Sequence, residues 1–328
     1  MILAGDIGGT KTVIARYEES GGRLRQLHTA TYHSRDFKSL ETILDAYLKD
    51  SPGVAPRAAC FDVAGPVFDG KCQTTNLPWH LDERDLARAI GVPRAKLLND
   101  LAATGYGLLQ LPADELCVLS PASRPGRRGN AAVIAAGTGL GEAILYWDGR
   151  RHQPIATEGG HVDFAPRTDQ EIDLLRYLRA RIGGRVSVER VLSGPGFHDI
   201  YCFLRDSGHA AESPQLAALF RTEDPNPTIT RLGLAGEDPL CVATLQLFST
   251  LYGSEAGNLA LKCLAVGGVL VGGGIAPKIL PVLQNGSFMR GFTDKGRFAG
   301  FMQSLEVSVS LNQEAALIGA AYFALHSI

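Results

Sequence analysis

The chain of 328 residues lacks a strong charge imbalance and long apolar runs. Its 32 Lys and Arg residues face 34 Asp and Glu residues, and the net charge of −2 supplies no basic field for nucleic acid or anionic lipid. No run reaches the roughly 18 apolar residues of a membrane span, and Asp6 interrupts the apolar start that a signal segment would need. We therefore expect no nucleic-acid partner and no membrane location.

The six cysteines form no recognisable metal or redox motif. They lie far apart, without a C-x-x-C pair and without a histidine at zinc spacing. Free thiols are typical of a reducing compartment, so the pattern predicts buried thiols in a cytoplasmic protein. With 45% apolar and 20% charged residues, a chain of this length is expected to form about two globular domains.

The stretch Gly5–Thr12 combines a carboxylate, glycines, hydroxyls and an ammonium group between two apolar runs. The runs predict two strands, and the glycines predict the hairpin turn between them. Backbone N–H groups of such a turn can bind phosphate, the hydroxyls of Thr10 and Thr12 could add donors, and Asp6 could hold magnesium or its water. The stretch differs from the Walker pattern because Thr10 stands where that pattern has a glycine before the lysine. A Walker loop is also followed by a helix, whereas here a strand is predicted after Lys11. Taken alone, an ordinary hairpin and a phosphate site explain the stretch equally well.

The second half of the chain repeats this opening. A buried strand is predicted at Ala131–Ala136, a glycine turn at Gly137–Gly141 and a returning strand at Ala143–Trp147. One hairpin of this kind in each half suggests two similar domains. The segment Leu111–Gly129, rich in Pro, Ser and Arg, is expected to separate them.

Helix signals are strongest at four places. Asp82 is expected to cap a helix that stops at Gly91, and Thr168–Glu171 has the form of a capping box. A long helix is predicted over Pro239–Leu264. The final helix, predicted over Asn312–Leu325, could pack back on the first domain.

Polar residues that could carry chemistry follow the predicted strands. Asn99 and Asp100 stand where a strand ends and a helix begins, so Asp100 is either a helix cap or a reagent, with the cap favoured for the residue alone. The segment Thr157–Phe164 places Glu158 and His161 three residues apart around two glycines. Metal binding is one interpretation, but two ligands without a third nearby are few for a metal site. The same side chains can bind sugar hydroxyls.

Two further features have an ordinary and a functional interpretation. Glu189 precedes Arg190–Gly194 and by default would be a surface helix residue. The run Gly272–Gly274 is either a tightly packed turn or the floor beneath a nucleoside, with a helix expected near Pro277.

Together and in this order, these segments resemble the bacterial glucokinase family over nearly the whole chain. The resemblance is carried by Leu3–Thr10 as the first phosphate segment, Leu98–Ala103 as the catalytic segment, Gly137–Gly141 as the second phosphate segment, Glu158–Asp163 and Glu189–Gly194 for sugar, Gly272–Pro277 for adenosine, and Phe292–Phe298.

The resemblance implies an α/β chain with the two-domain actin-like ATPase (ribonuclease H-like) fold and an interdomain cleft. The small domain would comprise residues 1–111 and 312–328, and the large domain residues 112–311. The implied reaction is the phosphorylation of D-glucose to glucose 6-phosphate with ATP and Mg²⁺, feeding glycolysis. A homodimer is also implied.

The resemblance also implies the roles of individual residues. Asp100 would be the catalytic base, and Asp6 would lie on the magnesium side, directly or through water. The glucose ligands would be Asn99, Asp100, Glu158, His161 and Glu189. The nucleotide ligands would be Asp6, Gly8, Gly9, Thr10, Lys11, Gly137, Thr138, Gly139, Gly272, Gly273 and Gly274.

Three alternatives stay open from the sequence. The same polar residues could bind another hexose or an amino sugar, because small backbone shifts rearrange a hydroxyl-binding site. ADP or polyphosphate could replace ATP as the phosphoryl donor. A non-catalytic sugar sensor of the same fold is the third alternative, which the presence of Asp6, Asp100 and both glycine turns disfavours.

Overall fold

The computed structural model describes residues 1–21, 23–51, 53–74, 76–122 and 127–327. The chain divides into two compact units. The first unit contains Met1–Pro112, Gln153–Ala156 and Asn312–Ile328, and the second contains Ala113–His152 and Thr157–Leu311.

The strands of the described chain form two main sheets and one small ribbon. They are β1 (Ile2–Ile7), β2 (Lys11–Ser20), β3 (Arg23–His33), β4 (Ala58–Val63), β5 (Lys71–Gln73), β6 (His80–Asp82), β7 (Ala95–Asn99), β8 (Leu116–Ser120), β9 (Ala131–Ala136), β10 (Leu140–Trp147), β11 (His152–Thr157), β12 (Val269–Gly272) and β13 (Val307–Ser310).

Helices connect and cover these strands. They are α1 (Leu40–Asp50), α2 (Glu83–Ile90), α3 (Asp100–Leu108), α4 (Asp169–Ile182), α5 (Gly194–Asp206), α6 (Pro214–Leu219), α7 (Pro225–Ala235), α8 (Pro239–Cys263), α9 (Leu280–Gln284), α10 (Ser287–Thr293), α11 (Ala299–Gln303) and α12 (Ala315–Ser327). No helix in the described part of the chain combines the length and apolar character needed to cross a membrane.

The sheet of the first unit has the order β3-β2-β1-β4-β7. Strands β1, β4 and β7 are parallel, so their carboxyl ends meet at one edge of the sheet. The register pairs Asp6 with Asp62 and Val63 with Asn99. Asp100, the next residue, begins α3 at the same edge.

Both faces of this sheet are covered, which explains why β4 is buried throughout. Successive side chains of a strand point to opposite faces. Phe61 on one face packs in a cluster with Leu40 of α1 and Leu86 of α2. Cys60 on the other face packs in a cluster with Leu317 of α12. The last helix therefore packs on the sheet of the first unit, as the sequence predicts.

Helices α3 and α12 approach each other at two glycines. A Cβ atom on Gly107 would lie 1.7 Å from the carbonyl oxygen of Ala315, and one on Gly319 would lie 1.8 Å from that of Ala103. Both contacts are with backbone, which cannot move aside without shifting a helix. The two helices can pack at this distance only because neither position carries a side chain.

The variant Gly319→Ala should therefore lose about 3 kcal/mol of stability, because overpacking at a rigid contact forces the backbone apart. Thermal unfolding followed by circular dichroism measures the change. Gly300→Ala is the matched control: Gly300 is exposed in α11 with open space around it, and a change within about 0.5 kcal/mol is expected. Equal midpoints of unfolding for the two variants would contradict the packing argument.

In the second unit, strands lie in one sheet in the order β10-β9-β12-β13-β8. Strands β9 and β12 are parallel and buried, and β10 returns antiparallel from the glycine turn after β9. The long helix α8 supplies Phe248, Tyr252 and Ala256 to the same core as Ile134 and Val271.

Several local predictions are confirmed. Asp82 accepts from the backbone N–H of Arg84 as the cap of α2, which ends at Gly91. Thr168 caps α4 by accepting from the N–H of Glu171 at 3.2 Å. The return bond differs from that of a capping box, because Glu171 accepts from the N–H of Arg167 rather than from that of Thr168.

Other local predictions are wrong in extent. The segment Leu111–Gly129, predicted as a domain boundary without strands of its own, contains β8, which pairs with β13 at the edge of the second sheet; residues 123–126 lie outside the described residues. The helix predicted near Pro277 is a 3-10 turn, Ala276–Ile279, followed by the short α9. Helices α7 and α10 were missed.

Candidate active site

The β1–β2 turn is held by hydrogen bonds within its own backbone and to Ser34. The N–H of Gly8 donates to the carbonyl of Lys11 at 3.0 Å, and the N–H of Ser34 donates to the carbonyl of Thr10 at 3.0 Å. The hydroxyl of Ser34 donates to the carbonyl of Gly8 and lies 3.0 Å from that of Thr12. Thr12 is buried, so its hydroxyl supports the turn and is not the phosphate donor that the sequence suggested.

The backbone donors that remain at this turn follow Gly8. Among the described residues, the N–H groups of Gly9 and Thr10 have no hydrogen-bond partner. Two successive N–H groups in a glycine turn can bind one anion. Gly8 contributes shape instead, because its own N–H is already bonded.

Three carboxyl groups gather at the carboxyl edge of β1, β4 and β7. Burial raises the pKa of Asp6, and Lys11 partly opposes that effect. Burial raises the pKa of Asp62 well above its usual range, and the charges of Asp6 and Asp100 raise it further. The charges of Asp6 and Asp100 therefore oppose ionisation of Asp62 at this edge.

Asp62 was missed from the sequence, although it is the one charged residue in the apolar run of β4. It is fully buried, and its two carboxyl oxygens have no donor among the described residues. The Asp62 carboxyl lies near that of Asp6 without a hydrogen bond to it among the described residues, and burial together with the charge of Asp6 favours the neutral form of Asp62.

This edge suits a magnesium ion whose other ligands are phosphate oxygens and water. Mg²⁺ takes oxygen ligands and is usually bound through one or two carboxylates with substrate phosphates. Asp6 offers such a carboxylate, and a cation beside it would favour the ionised form that burial disfavours. In the described ranges, no cluster of three or more Asp, Glu, His or Cys side chains would hold a metal by itself.

The sequence left open whether Asp100 is a helix cap or a reagent, and the structure gives the role of cap to Asn99. Asn99 is the cap of α3: its Oδ1 accepts from the N–H groups of Leu101 at 2.9 Å and Ala102 at 3.3 Å. Its Nδ2 donates to the carbonyl of Gly65 at 3.3 Å. Asp100 is the first helical residue, and its Oδ1 accepts from the N–H of Leu101 at 2.9 Å. Because Asn99 caps the helix, Asp100 is not required for that task.

The β9–β10 turn is one residue shorter than the first turn but uses the backbone N–H groups in a similar way. The N–H of Gly137 donates to the carbonyl of Gly139 at 2.8 Å, and the carbonyl of Gly137 accepts from Gly194 at 2.8 Å. Within the residues that the structure describes, the N–H groups of Thr138 and Gly139 have no hydrogen-bond partner. Each turn therefore uses the N–H of its first glycine internally and presents the next two.

The turn that holds Glu158 and His161 packs directly on β10. Gly159–His161 form a 3-10 turn, closed by a bond from the N–H of His161 to the carbonyl of Glu158. A Cβ on Gly160 would lie 2.1 Å from the carbonyl oxygen of Leu140, and one on Gly159 would lie 2.1 Å from Oε2 of Glu142. Gly160 is needed because the turn lies directly against the backbone of Leu140, and Gly159 leaves room for the side chain of Glu142.

Glu158, His161 and Glu189 come together as one polar cluster. His161 Nε2 lies 3.8 Å from Glu158 Oε2, and His161 Nδ1 lies 3.9 Å from Glu189 Oε1. The side chains are 69%, 58% and 31% exposed for Glu158, His161 and Glu189. The cluster thus offers acceptors and an imidazole that a polyhydroxyl ligand can reach.

Glu189 also touches the second glycine turn. It lies in a 3-10 turn, Val188–Arg190, and not on the surface of a helix. Its Oε2 accepts from the N–H of Leu140 at 3.0 Å, while Oε1 faces His161. One carboxylate therefore joins the polar cluster to the turn at Gly137–Gly141.

Arg185 supports the cluster from behind and was missed from the sequence. Its Nη1 donates to the carbonyl of His161 at 2.7 Å and to Oδ1 of Asp163 at 2.9 Å. No periodicity or motif marks Arg185, because its role depends on residues more than twenty positions earlier.

The glycine run after β12 packs against the end of β9. Gly273 has a φ of 80°, and a Cβ there would lie 2.3 Å from the carbonyl oxygen of Ala136. The same carbonyl accepts from the N–H of Ile275 at 3.2 Å. Tyr252 accepts from the N–H of Ala136 with its hydroxyl at 3.0 Å. The run is thus a tightly packed turn, and it lies beside the second phosphate turn because both meet at Ala136.

The comparisons with known proteins agree along the whole chain. The family model described as Glucokinase matches residues 3–327. The chain is 43% identical to the glucokinase of Nostoc punctiforme over 98% of both chains, and 40% identical to that of Caulobacter vibrioides over 97% of this chain and 93% of the relative. The crystal structure of a glucokinase from an Antarctic psychrotroph superposes with a TM-score of 0.86 at 32% identity, covering 99% of each chain.

A more distant structure shows the same fold. A ROK family glucokinase from Streptomyces griseus, in complex with glucose and AMPPNP, has a TM-score of 0.67 at 22% identity and covers 99% of each chain.

Proposed function

Because the chain belongs to the glucokinase family, with its two-domain actin-like α/β fold and its ATP-dependent phosphorylation of D-glucose, we propose the residues that carry out this reaction here. Asp100 is the catalytic residue that receives the proton of the glucose 6-hydroxyl. The observation that supports this assignment is the division of roles at α3, where Asn99 holds the helix and Asp100 starts it.

Asp100 acts mainly by orienting the hydroxyl. Phosphoryl transfer depends on an in-line acceptor and on neutralisation of developing charge, with little covalent work for the protein. A carboxylate is a weak base for an alcohol, so early proton removal contributes less than placement. The proton passes to Asp100 as the bond from the sugar oxygen to phosphorus forms and the bond to the ADP oxygen breaks.

Magnesium is the proposed metal, with Asp6 as its protein ligand, directly or through water. When bound, the ion would neutralise charge on the β- and γ-phosphates. The support for this assignment is the buried, repelling set of carboxyl groups around Asp6, which a cation would relieve. Lys11, whose charge already lowers the pKa of Asp6, adds a second positive group at the first phosphate turn.

The glucose hydroxyls are assigned to the polar cluster of Glu158, His161 and Glu189, together with Asp100. The two glutamates accept hydrogen bonds, and His161 donates or accepts according to its tautomer. Asn99 is also assigned to glucose: its Oδ1 and one Nδ2 hydrogen are bonded to α3 and Gly65, and its second Nδ2 hydrogen can donate to a sugar oxygen beside Asp100.

The phosphates of ATP are assigned to the two glycine turns and its nucleoside to the turn after β12. The support is the pair of unbonded N–H groups in each turn, from Gly9 and Thr10 and from Thr138 and Gly139. Gly8 and Gly137 allow close approach, while Gly272, Gly273 and Gly274 form a floor without side chains. A nucleoside on this floor would lie next to the second phosphate turn.

Initial rates of product formation with glucose, mannose, fructose, N-acetylglucosamine and no sugar test this assignment. Glucose is expected to be strongly preferred, because a site of polar groups penalises any sugar that leaves one unpaired. Preferred turnover on another hexose would show that the polar cluster is specific for that sugar and not for glucose. ADP and polyphosphate in place of ATP should give no turnover, and failure of every pair would leave the sensor alternative.

The protein is further proposed to be a cytoplasmic homodimer. Its six cysteines are free thiols, which suits a reducing compartment. The dimer rests on the family resemblance, and light scattering after size exclusion tests it.

A further inference from the structure

Glu142 of β10 is a buried carboxyl that the proposed reaction does not use. Its side chain is 1% exposed, and its Oε1 has no hydrogen-bond partner within the described residues. A Cβ atom built on Gly159 would lie 2.1 Å from Oε2 of Glu142. The carboxyl is therefore in close contact with the turn that holds Glu158 and His161. The backbone carbonyl of Glu142 accepts from the hydroxyl of Thr157 at 2.9 Å, which ties the strand to the start of the turn.

The groups around Glu142 favour its neutral form. On α8, Glu255 is 5% exposed and accepts from Asn258 at 2.9 Å, and Lys262 lies 3.5 Å from Glu255. The phenol of Tyr252, also on α8, lies near enough to be affected by the charge of Glu142. Burial and, to a smaller extent, the charge of Glu255 raise the pKa of Glu142 to about 7, against the opposing charge of Lys262.

We propose that Glu142 is a positioning residue for the glucose-binding turn, and that the turn is held in place only while the Glu142 carboxyl is neutral. A neutral carboxyl can stay buried against Gly159 without a partner at modest cost. A carboxylate cannot, because it needs donors that the site lacks and it repels the buried Glu255. Ionisation therefore draws water behind the turn and displaces Glu158 and His161.

This inference rests on the proposed assignment of Glu158 and His161 to glucose. It predicts a loss of glucose affinity as the pH rises through neutrality. The sign follows from the raised pKa: the neutral form, present at lower pH, is the one that binds. If the ionised form does not bind, the affinity falls about tenfold for each pH unit above the pKa.

The experiment compares wild type with E142Q, which keeps the shape and removes the charge. KM for glucose is measured at saturating MgATP from about pH 6 to about pH 8.5, a range that spans the expected titration. The wild-type KM should rise about tenfold or more over this range, while that of E142Q should change less than about twofold. KM for ATP should stay level in both. Histidines titrate in the same range, so the decisive quantity is the difference between two proteins that both retain His161.

E255Q provides a second, independent test. Removing the neighbouring charge makes ionisation of Glu142 easier, so the rise in glucose KM should begin at a lower pH than in wild type. Superimposable glucose profiles for wild type and E142Q, or an unmoved profile in E255Q, would overturn the proposal. E158A at about pH 6, where Glu142 is neutral, separates the two levels of inference. If E158A leaves the glucose KM unchanged, the proposed sugar site is wrong; if it raises KM while the profiles coincide, only the role of Glu142 is wrong.

Discussion

Asp100→Asn should lower kcat by about a thousandfold, within the range of about a hundredfold to ten-thousandfold found for removal of a positioned acid or base. Asparagine keeps the size of the side chain and can still accept from the N–H of Leu101. It cannot take the proton of the 6-hydroxyl. Glucose affinity should change less than about fivefold, because the loss is felt in the transition state rather than in the ground state.

The control for Asp100→Asn is Asp85→Asn. Asp85 is also an acidic residue in the first turn of a helix, α2, where it forms an ion pair with Arg88. Its replacement removes the same charge from a helix start outside the proposed site, and kcat should stay within about twofold, since exposed pairs contribute little. Near-normal turnover in Asp100→Asn, with glucose-dependent product formation, would remove Asp100 from the catalytic role.

Glu158→Ala and Glu189→Ala should differ in which substrate they weaken. Loss of a hydrogen bond to a charged group corresponds to about a ten- to hundredfold change in affinity. Glu158→Ala should raise KM for glucose by about this factor and leave KM for ATP unchanged. Glu189→Ala should raise both, because Glu189 Oε2 also holds the N–H of Leu140 in the second phosphate turn.

Steady-state kinetics with each substrate varied at saturation of the other distinguishes the pair. Glu212→Ala is a suitable control, since Glu212 bonds Tyr201 and Arg205 and takes no part in the polar cluster. An unchanged KM for ATP in Glu189→Ala would contradict the coupling through Leu140. Equal losses for both substrates in Glu158→Ala would contradict its assignment to the sugar.

On the proposed assignments, the contact of Glu189 with Leu140 gives a physical reason for the two substrates to influence one another. The polar cluster and the β9–β10 turn share the Glu189 carboxylate, and the turn after β12 meets the β9–β10 turn at Ala136. A ligand that fixes Glu189 would also fix the turn that presents the N–H groups of Thr138 and Gly139. Binding of the first substrate would then lower the entropic cost of binding the second.

The sequence by itself determined the features that depend on neighbouring residues. The two glycine hairpins, the helix from Asp82 to Gly91 and the buried strand at Ala131–Ala136 follow from local patterns of apolar residues, caps and glycines. The ordered set of motifs also predicted the family, which the family model over residues 3–327 confirms.

Only the tertiary structure decided which groups meet across long separations in the chain. The bond from Leu140 to Glu189 spans 49 residues, and Gly107 meets Ala315 in a different segment of the first unit. The burial of Asp62 and Glu142, and hence their raised pKa values, depends on helices and strands that pack around them. Burial and close contact are properties of the packed chain, since desolvation requires atoms from distant segments to exclude water, and no local pattern specifies them.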